Sequence, residues 1–243
     1  MNGRQFHSGG ARRLWNAVAT TVALGTATLV LSRGPATCRA GDCPEGSVLA
    51  GKGPPDGDAQ WCEKDHVKHG PYHAWTVTGV KTEEGWYEHG QREGRWTSFW
   101  ENGQKWEEGP YRHGVRDGRW KSWYDTGELA DSGDYHAGKP EGHWVGWYRN
   151  GRKADEGNFH AGMAEGIWIG WHENGQKSQE GPFHHDEASG RFVYWHPNGR
   201  KQMEGAFKDG KKVGGWLTWD EHGVKTSEKT YRDGVEVPPD GPF

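Results

Sequence analysis

Phe183 to Glu187 (FHHDE) sets two imidazoles beside two carboxylates, and these side chains are ligands that zinc and its first-row neighbours accept. The chain holds 14 histidines, so the question is whether this cluster is singular. His184 continues a series with His136 and His160, and Asp186 takes the place of Gly114, Gly138 and Gly162. The cluster therefore reads as one variant of a recurring wide turn, and no metal is assigned to it. His172 and His196 stand where Tyr124 and Tyr148 stand elsewhere, which points to interchangeable packing. Neither WHENG nor WHPNG carries the second histidine of a zinc-protease motif. Carboxylates recur at Glu84, Glu108, Glu156, Glu180, Glu204 and Glu228, with Ser132 the exception. An active site is usually singular, whereas this acid appears in nearly every unit. It reads as a carboxylate answering backbone amides, or a Lys or Arg across a sheet. With no nucleophile elbow, no phosphate-cradling loop and no cysteine among these units, the sequence assigns no catalytic residue and no cofactor, and the chain reads as a non-enzyme.

What positions these residues is a step of 24 residues that never slips, and a fixed period of about 20 to 50 residues is the signature of a repeat architecture. A first ring series runs Tyr72, Trp96, Trp120, Trp144, Trp168, Phe192 and Trp216. A second runs Trp75, Phe99, Trp123, Trp147, Trp171, Trp195 and Trp219, and a third Tyr87, Tyr111, Tyr135, Phe159, Phe183, Phe207 and Tyr231. These aromatics are assigned a structural role. Glycines keep the same step at Gly85, Gly109, Gly133, Gly157, Gly181 and Gly205, until Lys229 replaces them in the last unit.

Each unit predicts two strands. The first, such as RWTSFW, ends at ENG, RNG or PNG, whose Asn-Gly is expected to supply the two positive-φ positions of a tight hairpin. The second, such as RKADEGNF, is expected to lead into a wide glycine turn such as RHGVRDG. No stretch has a helical period. The predicted fold is all-β: an elongated single antiparallel β-meander of seven 24-residue hairpin repeats. Alternation puts Trp96 and Trp100 on one face and Phe99 on the other, so both faces carry rings, and a bulge at the Gly109-type positions would shift the register beyond it.

A formal net charge of −4 over 243 residues excludes a strongly basic nucleic-acid binder. The 16 Trp, 8 Tyr and 7 Phe at fixed spacing argue for a folded chain in which rings do the burial. Residues 1–36 differ: Arg4, Arg12 and Arg13 precede the apolar run Leu14 to Leu31, the pattern of a signal peptide or of an uncleaved anchor. The segment 37–65, a Cys/Pro/Gly-rich linker and cap, holds Cys38, Cys43 and Cys62, the three cysteines of the chain. In an exported protein Cys43 and Cys62 form the natural disulfide across GKGPPDGD. A zinc site is the rival reading and would need a fourth ligand. Cys38 is then lost on cleavage, lipidated or free. The repeats span 66–237, and a tail, 238–243, is expected to cover the end of the array.

The unit G-x-W-x-x-W-Y-x-x-N-G-x-x-x-x-E-G-x-Y-x-x-G, spelled most fully by GHWVGWYRNGRKADEGNFHAG, resembles the bacterial variant of the MORN repeat, in particular a multi-repeat, antitoxin-like family. That resemblance implies β-meander arrays that scaffold, dimerise or contact membranes without catalytic machinery, and the antitoxin label implies a toxin partner. The expectation is an exported, non-catalytic scaffold for a protein partner in the cell envelope, at the cell surface or outside the cell. Alternatives are an aromatic array for cell-wall glycan and an antitoxin-like protein neutralising its partner. Nucleic acid is not expected, and membrane contact is expected only through the N-terminal segment.

Overall fold

The structure is a computed structural model and describes residues 39–238. The leader, Cys38 and residues 239–243 of the tail lie outside the described residues. Among the described residues, one 3-10 turn, Ala40–Asp42, precedes nineteen strands, which pair antiparallel. The chain divides after Val115 into two compact units.

In the first unit β1 (Val48–Lys52), β2 (Ala59–Lys64), β3 (Val67–Trp75), β4 (Lys81–Glu88), β5 (Gln91–Phe99) and β6 (Lys105–Arg112) pair each with the next. The short β7 (Val115–Arg116) lies at the division. The second unit continues with β8 (Gly118–Trp123), β9 (Leu129–His136), β10 (Lys139–Trp147), β11 (Lys153–His160), β12 (Met163–Trp171) and β13 (Lys177–His184). It ends with β14 (Glu187–Ala188), β15 (Gly190–Trp195), β16 (Lys201–Lys208), β17 (Lys211–Trp219), β18 (Lys225–Arg232) and β19 (Val235–Val237). Here too consecutive strands pair as a meander, β14 and β15 sharing β13 as neighbour.

The two turns exchange the roles expected of them. At ENG-type turns only the glycine has positive φ, as in Gly103 (φ 82) and Gly151 (φ 76); the asparagines before them do not. The Gly103 N–H donates to the Trp100 carbonyl at 2.9 Å and the Trp100 N–H to the Gln104 carbonyl at 2.7 Å, a type I turn closed by a left-handed glycine. Asn is selected there by its side chain: Asn150 Oδ1 accepts the Arg152 N–H at 3.0 Å while its amide donates to the Glu173 carbonyl at 3.0 Å, one repeat on. The tight two-residue turn is the glycine turn read as wide. His89-Gly90, Ala137-Gly138, Ala161-Gly162 and Asp209-Gly210 each have both residues at positive φ. FHHDE contains such a tight turn, His185-Asp186 (φ 50 and 69), between His184 and Glu187, which pair with each other.

Register breaks recur at the glycines of the second strands, between Glu84 and Trp86, Glu156 and Asn158, and Glu204 and Ala206. A second break falls one residue before each second-series ring, for example between Ser98 and Phe99. That break takes Trp100 out of simple alternation with Trp96, and its ring packs on Trp106 at 5.6 Å.

At the N-terminal end Cys43 is bonded to Cys62, their Cα atoms 5.5 Å apart, so neither sulfur is free to hold a metal. Cys62 is fully buried under the start of β3, where a side chain at Gly70 would strike Pro44 and Cys62.

Candidate interaction surface

The first ring series is construction. A Cβ added at Gly157 would lie 2.1 Å from the indole of Trp168, and at Gly85, Gly133, Gly181 and Gly205 it would meet Trp96, Trp144, Phe192 and Trp216 at 2.0–2.4 Å. Each ring lies flat against the glycine of the preceding repeat. The indole N–H reaches the carbonyl next to that glycine: Trp96 to Trp86 at 3.1 Å, Trp144 to Asp134 at 3.1 Å, Trp168 to Asn158 at 3.2 Å and Trp216 to Ala206 at 3.2 Å. Third-series rings stand edge-on between them, as Phe159 does 5.9 Å from Trp144 and 5.1 Å from Trp168. Each such pair adds about 0.5–1.5 kcal/mol beyond its buried area. Trp96, Trp120, Trp168 and Trp216 are buried and Trp144 is partly so. The N–H donors of Trp96, Trp144, Trp168 and Trp216 are all used within the array.

Basic residues cover parts of this ladder, a feature that sequence reasoning did not find. The Arg92 guanidinium lies 4.1 Å from the Trp96 ring and 5.3 Å from Tyr111 while pairing with Glu83 at 2.9 Å. Arg116 covers Trp120 at 4.0 Å, and Lys212 covers Trp216 at 4.2 Å, its pKa lowered by burial. The signal was legible in Lys68, Arg92, Arg116 and Lys212, spaced by multiples of the repeat.

The second ring series is less enclosed. Trp75 is buried in the first unit, whereas Phe99, Trp123, Trp147, Trp171, Trp195 and Trp219 are half-buried. Lysines roof three of them: Lys153 over Trp171 at 5.4 Å, Lys177 over Trp195 at 5.8 Å and Lys201 over Trp219 at 5.1 Å. The same ammonium groups reach Glu156 at 2.7 Å, Glu180 at 2.5 Å and Glu204 at 2.9 Å. This is the lysine partner expected for the recurrent carboxylate, supplied from three residues earlier in the chain, with Arg95 and Arg191 joining Glu108 and Glu204. Hydrogen bonds from Lys201, then from Arg191, hold the Glu204 pKa below the usual carboxylate range. The exception is explained as a pair. Where Ser132 replaces Glu, Leu129 replaces Lys, and the buried Ser132 hydroxyl accepts from Arg119 Nε at 3.1 Å.

Tyr–His exchange has a specific cause. The Tyr124 and Tyr148 hydroxyls donate to the Trp147 and Trp171 carbonyls at 2.7 and 2.6 Å, and the His172 and His196 Nε2 atoms reach the Trp195 and Trp219 carbonyls at 2.8 and 2.9 Å. Only an N–H can serve there, so each imidazole carries its proton on Nε2.

At the tight turns, side chains from successive repeats meet. The Glu141 carboxylate accepts the Ala161 N–H at 2.7 Å and lies 3.0 Å from His160 Nδ1; Glu165 is placed the same way against the His185 N–H (3.2 Å) and His184 Nδ1 (3.0 Å). His136 and Asp117 approach to 3.5 Å. Turn N–H groups also bond one repeat back, Gly162 to the Pro140 carbonyl at 2.9 Å and Asp186 to the Ala164 carbonyl at 3.1 Å. What faces outward from the repeats is thus a series of charged and histidine-bearing turns.

Three segments, 92–113, 116–137 and 164–185, match the family model described as MORN repeat variant. Their starts are one and two 24-residue steps apart, so the matches share the register of the rings. MORN repeats are generally protein- or membrane-binding motifs and a non-enzymatic repeat family. No curated protein matches the chain.

Proposed function

We propose that this chain, which carries MORN-repeat-variant units, is a non-catalytic scaffold that presents a repeated surface to a protein partner, and that its N-terminal segment directs it to the cell envelope or beyond. One observation carries the reading: the first-series indoles are spent on the array itself, packed on glycine with their N–H groups bonded to backbone carbonyls. That leaves the exposed charged turns, renewed every 24 residues, as the surface that differs from unit to unit. Such a surface suits a partner held at many modest contacts rather than a small ligand gripped at one.

A second reading, glycan binding, draws on the half-buried second-series indoles, which offer ring faces once their lysines move aside. Crosslinked capture with the tagged chain in its native host separates the two. One stoichiometric protein recovered from the soluble fraction supports the scaffold. Retention of the chain on protein-free wall material, lost on replacing Trp171 and Trp195 by Leu, supports the glycan array and overturns the scaffold.

A further inference from the structure

In the second unit the tight turn of β13–β14 has Asp186 where its neighbours have glycine, and it carries a second imidazole. Glu165 on β12, His184 at the end of β13 and His185 in the turn bring one ligand atom each to within 4.8 Å of one another. The two imidazole centroids are 4.0 Å apart, and His184 Nδ1 is 3.0 Å from Glu165 Oε1. The equivalent turns of this unit supply two ligands at most, as in His160 with Glu141, followed by Ala161, and His136 with Asp117, followed by Ala137; in the first unit His69, Glu88 and His89 hold the corresponding positions, with the two imidazole centroids 5.2 Å apart. Among the described residues this is the one cluster of three side chains placed to share an ion.

We propose that Glu165, His184 and His185 form a binding site for a divalent first-row transition metal of the zinc, nickel or copper type, with its remaining positions open to water. The sequence alone argued against a metal, because it showed His184 as one member of a turn series and could not show Glu165, 19 residues earlier, facing it. Bonds of about 2.0–2.1 Å in a tetrahedral shell set ligand atoms about 3.4 Å apart. One pair already stands at 3.0 Å and the widest is within 4.8 Å. Closing the remainder takes rotation of exposed side chains and no change in the strands. The Glu165 carboxylate is held in place from behind by the His185 N–H at 3.2 Å, the orienting contact that ligating carboxylates commonly have. Two imidazoles and one carboxylate favour this class of ion over calcium or magnesium, which take oxygen shells.

The neighbouring repeat provides the control. Ala137 and Ala161 occupy the position of His185 with φ of 48 and 51 against 50, so His185→Ala leaves a backbone that the chain already uses twice. The reverse change, Ala161→His, completes the same triad with Glu141 and His160. Titration of the untagged full-length chain with Zn2+ by calorimetry, and with Co2+ by visible absorption, is expected to show one ion per chain with the d–d bands of low-coordinate nitrogen and oxygen ligation. His185→Ala should abolish that ion, Ala161→His should raise the stoichiometry to two, and Ca2+ and Mg2+ should give no signal. Unchanged binding in His185→Ala would place the ion on other histidines and overturn the proposal, as would a wild-type chain that binds no Zn2+.

Discussion

Gly157 and Lys229 hold the same place in their repeats, each opposite a tryptophan, Trp144 or Trp216, in the register of its hairpin. They differ in the neighbour on their far side. Gly157 has the Trp168 indole lying on it, whereas the sequence has Asp240 one step after Trp216, and the Lys229 ammonium reaches Glu236 at 2.8 Å. Gly157 has no left-handed φ, so the demand for glycine comes from the neighbouring repeat and not from the local backbone. The residue that follows each second-series ring shows the same rule. Tyr148, His172 and His196 reach forward to the next repeat, but Asp220, at their position in the last one, folds back on its own turn and accepts the His222 and Val224 N–H groups at 3.0 and 2.8 Å. The departures in the last described repeat therefore fall at the positions that receive or reach a neighbour in the repeats before it.

The sharpest way to break this comparison is to place the same side chain in both settings. Gly157→Ala must displace an indole now 2.1 Å from the new methyl, and is expected to cost about 3 kcal/mol, the upper range for overpacking. Lys229→Ala should stay within about 0.5 kcal/mol, because it loses one exposed ion pair. Urea unfolding of the two variants checks this, and equal costs would refute a neighbour-imposed glycine. A smaller effect tests the forward hydrogen bond: Tyr148→Phe removes the hydroxyl that donates to the Trp171 carbonyl, for an expected loss of about 1 kcal/mol, and Tyr148→His should recover part of it.

The smallest effect is a pH dependence. The folded-state pKa of Glu204 is depressed by its hydrogen bonds from Lys201 and Arg191, so its contribution is present above the unfolded carboxylate pKa and fades as pH falls through the folded value. Glu204→Gln should flatten that limb of the stability curve.

The repeat, its strands and the all-β meander were legible because burial here rests on rings at a fixed spacing, and that spacing survives in one dimension. The turns were misassigned because Asn-Gly is a strong hairpin signal by local propensity, whereas here the same glycine-closed turn recurs without asparagine at Thr126-Gly127 and His222-Gly223, and the Asn150 amide is bonded to the Glu173 carbonyl of the next repeat. The roofing lysines were legible in principle: Leu129 departs from the lysine series in the same repeat in which Ser132 departs from the glutamate series. The triad at Glu165, His184 and His185 was not, since its carboxylate comes from a different strand.

By itself the sequence determined the period, the strand pairs and which rings recur, because each depends on side-chain type at a known offset along the chain. Which glycine receives an indole, which carboxylate meets two histidines and which aromatic face is covered by a cation were decided only by the tertiary structure. Those contacts join residues of different repeats, and their distances depend on how each strand bulges and stacks on the one before it.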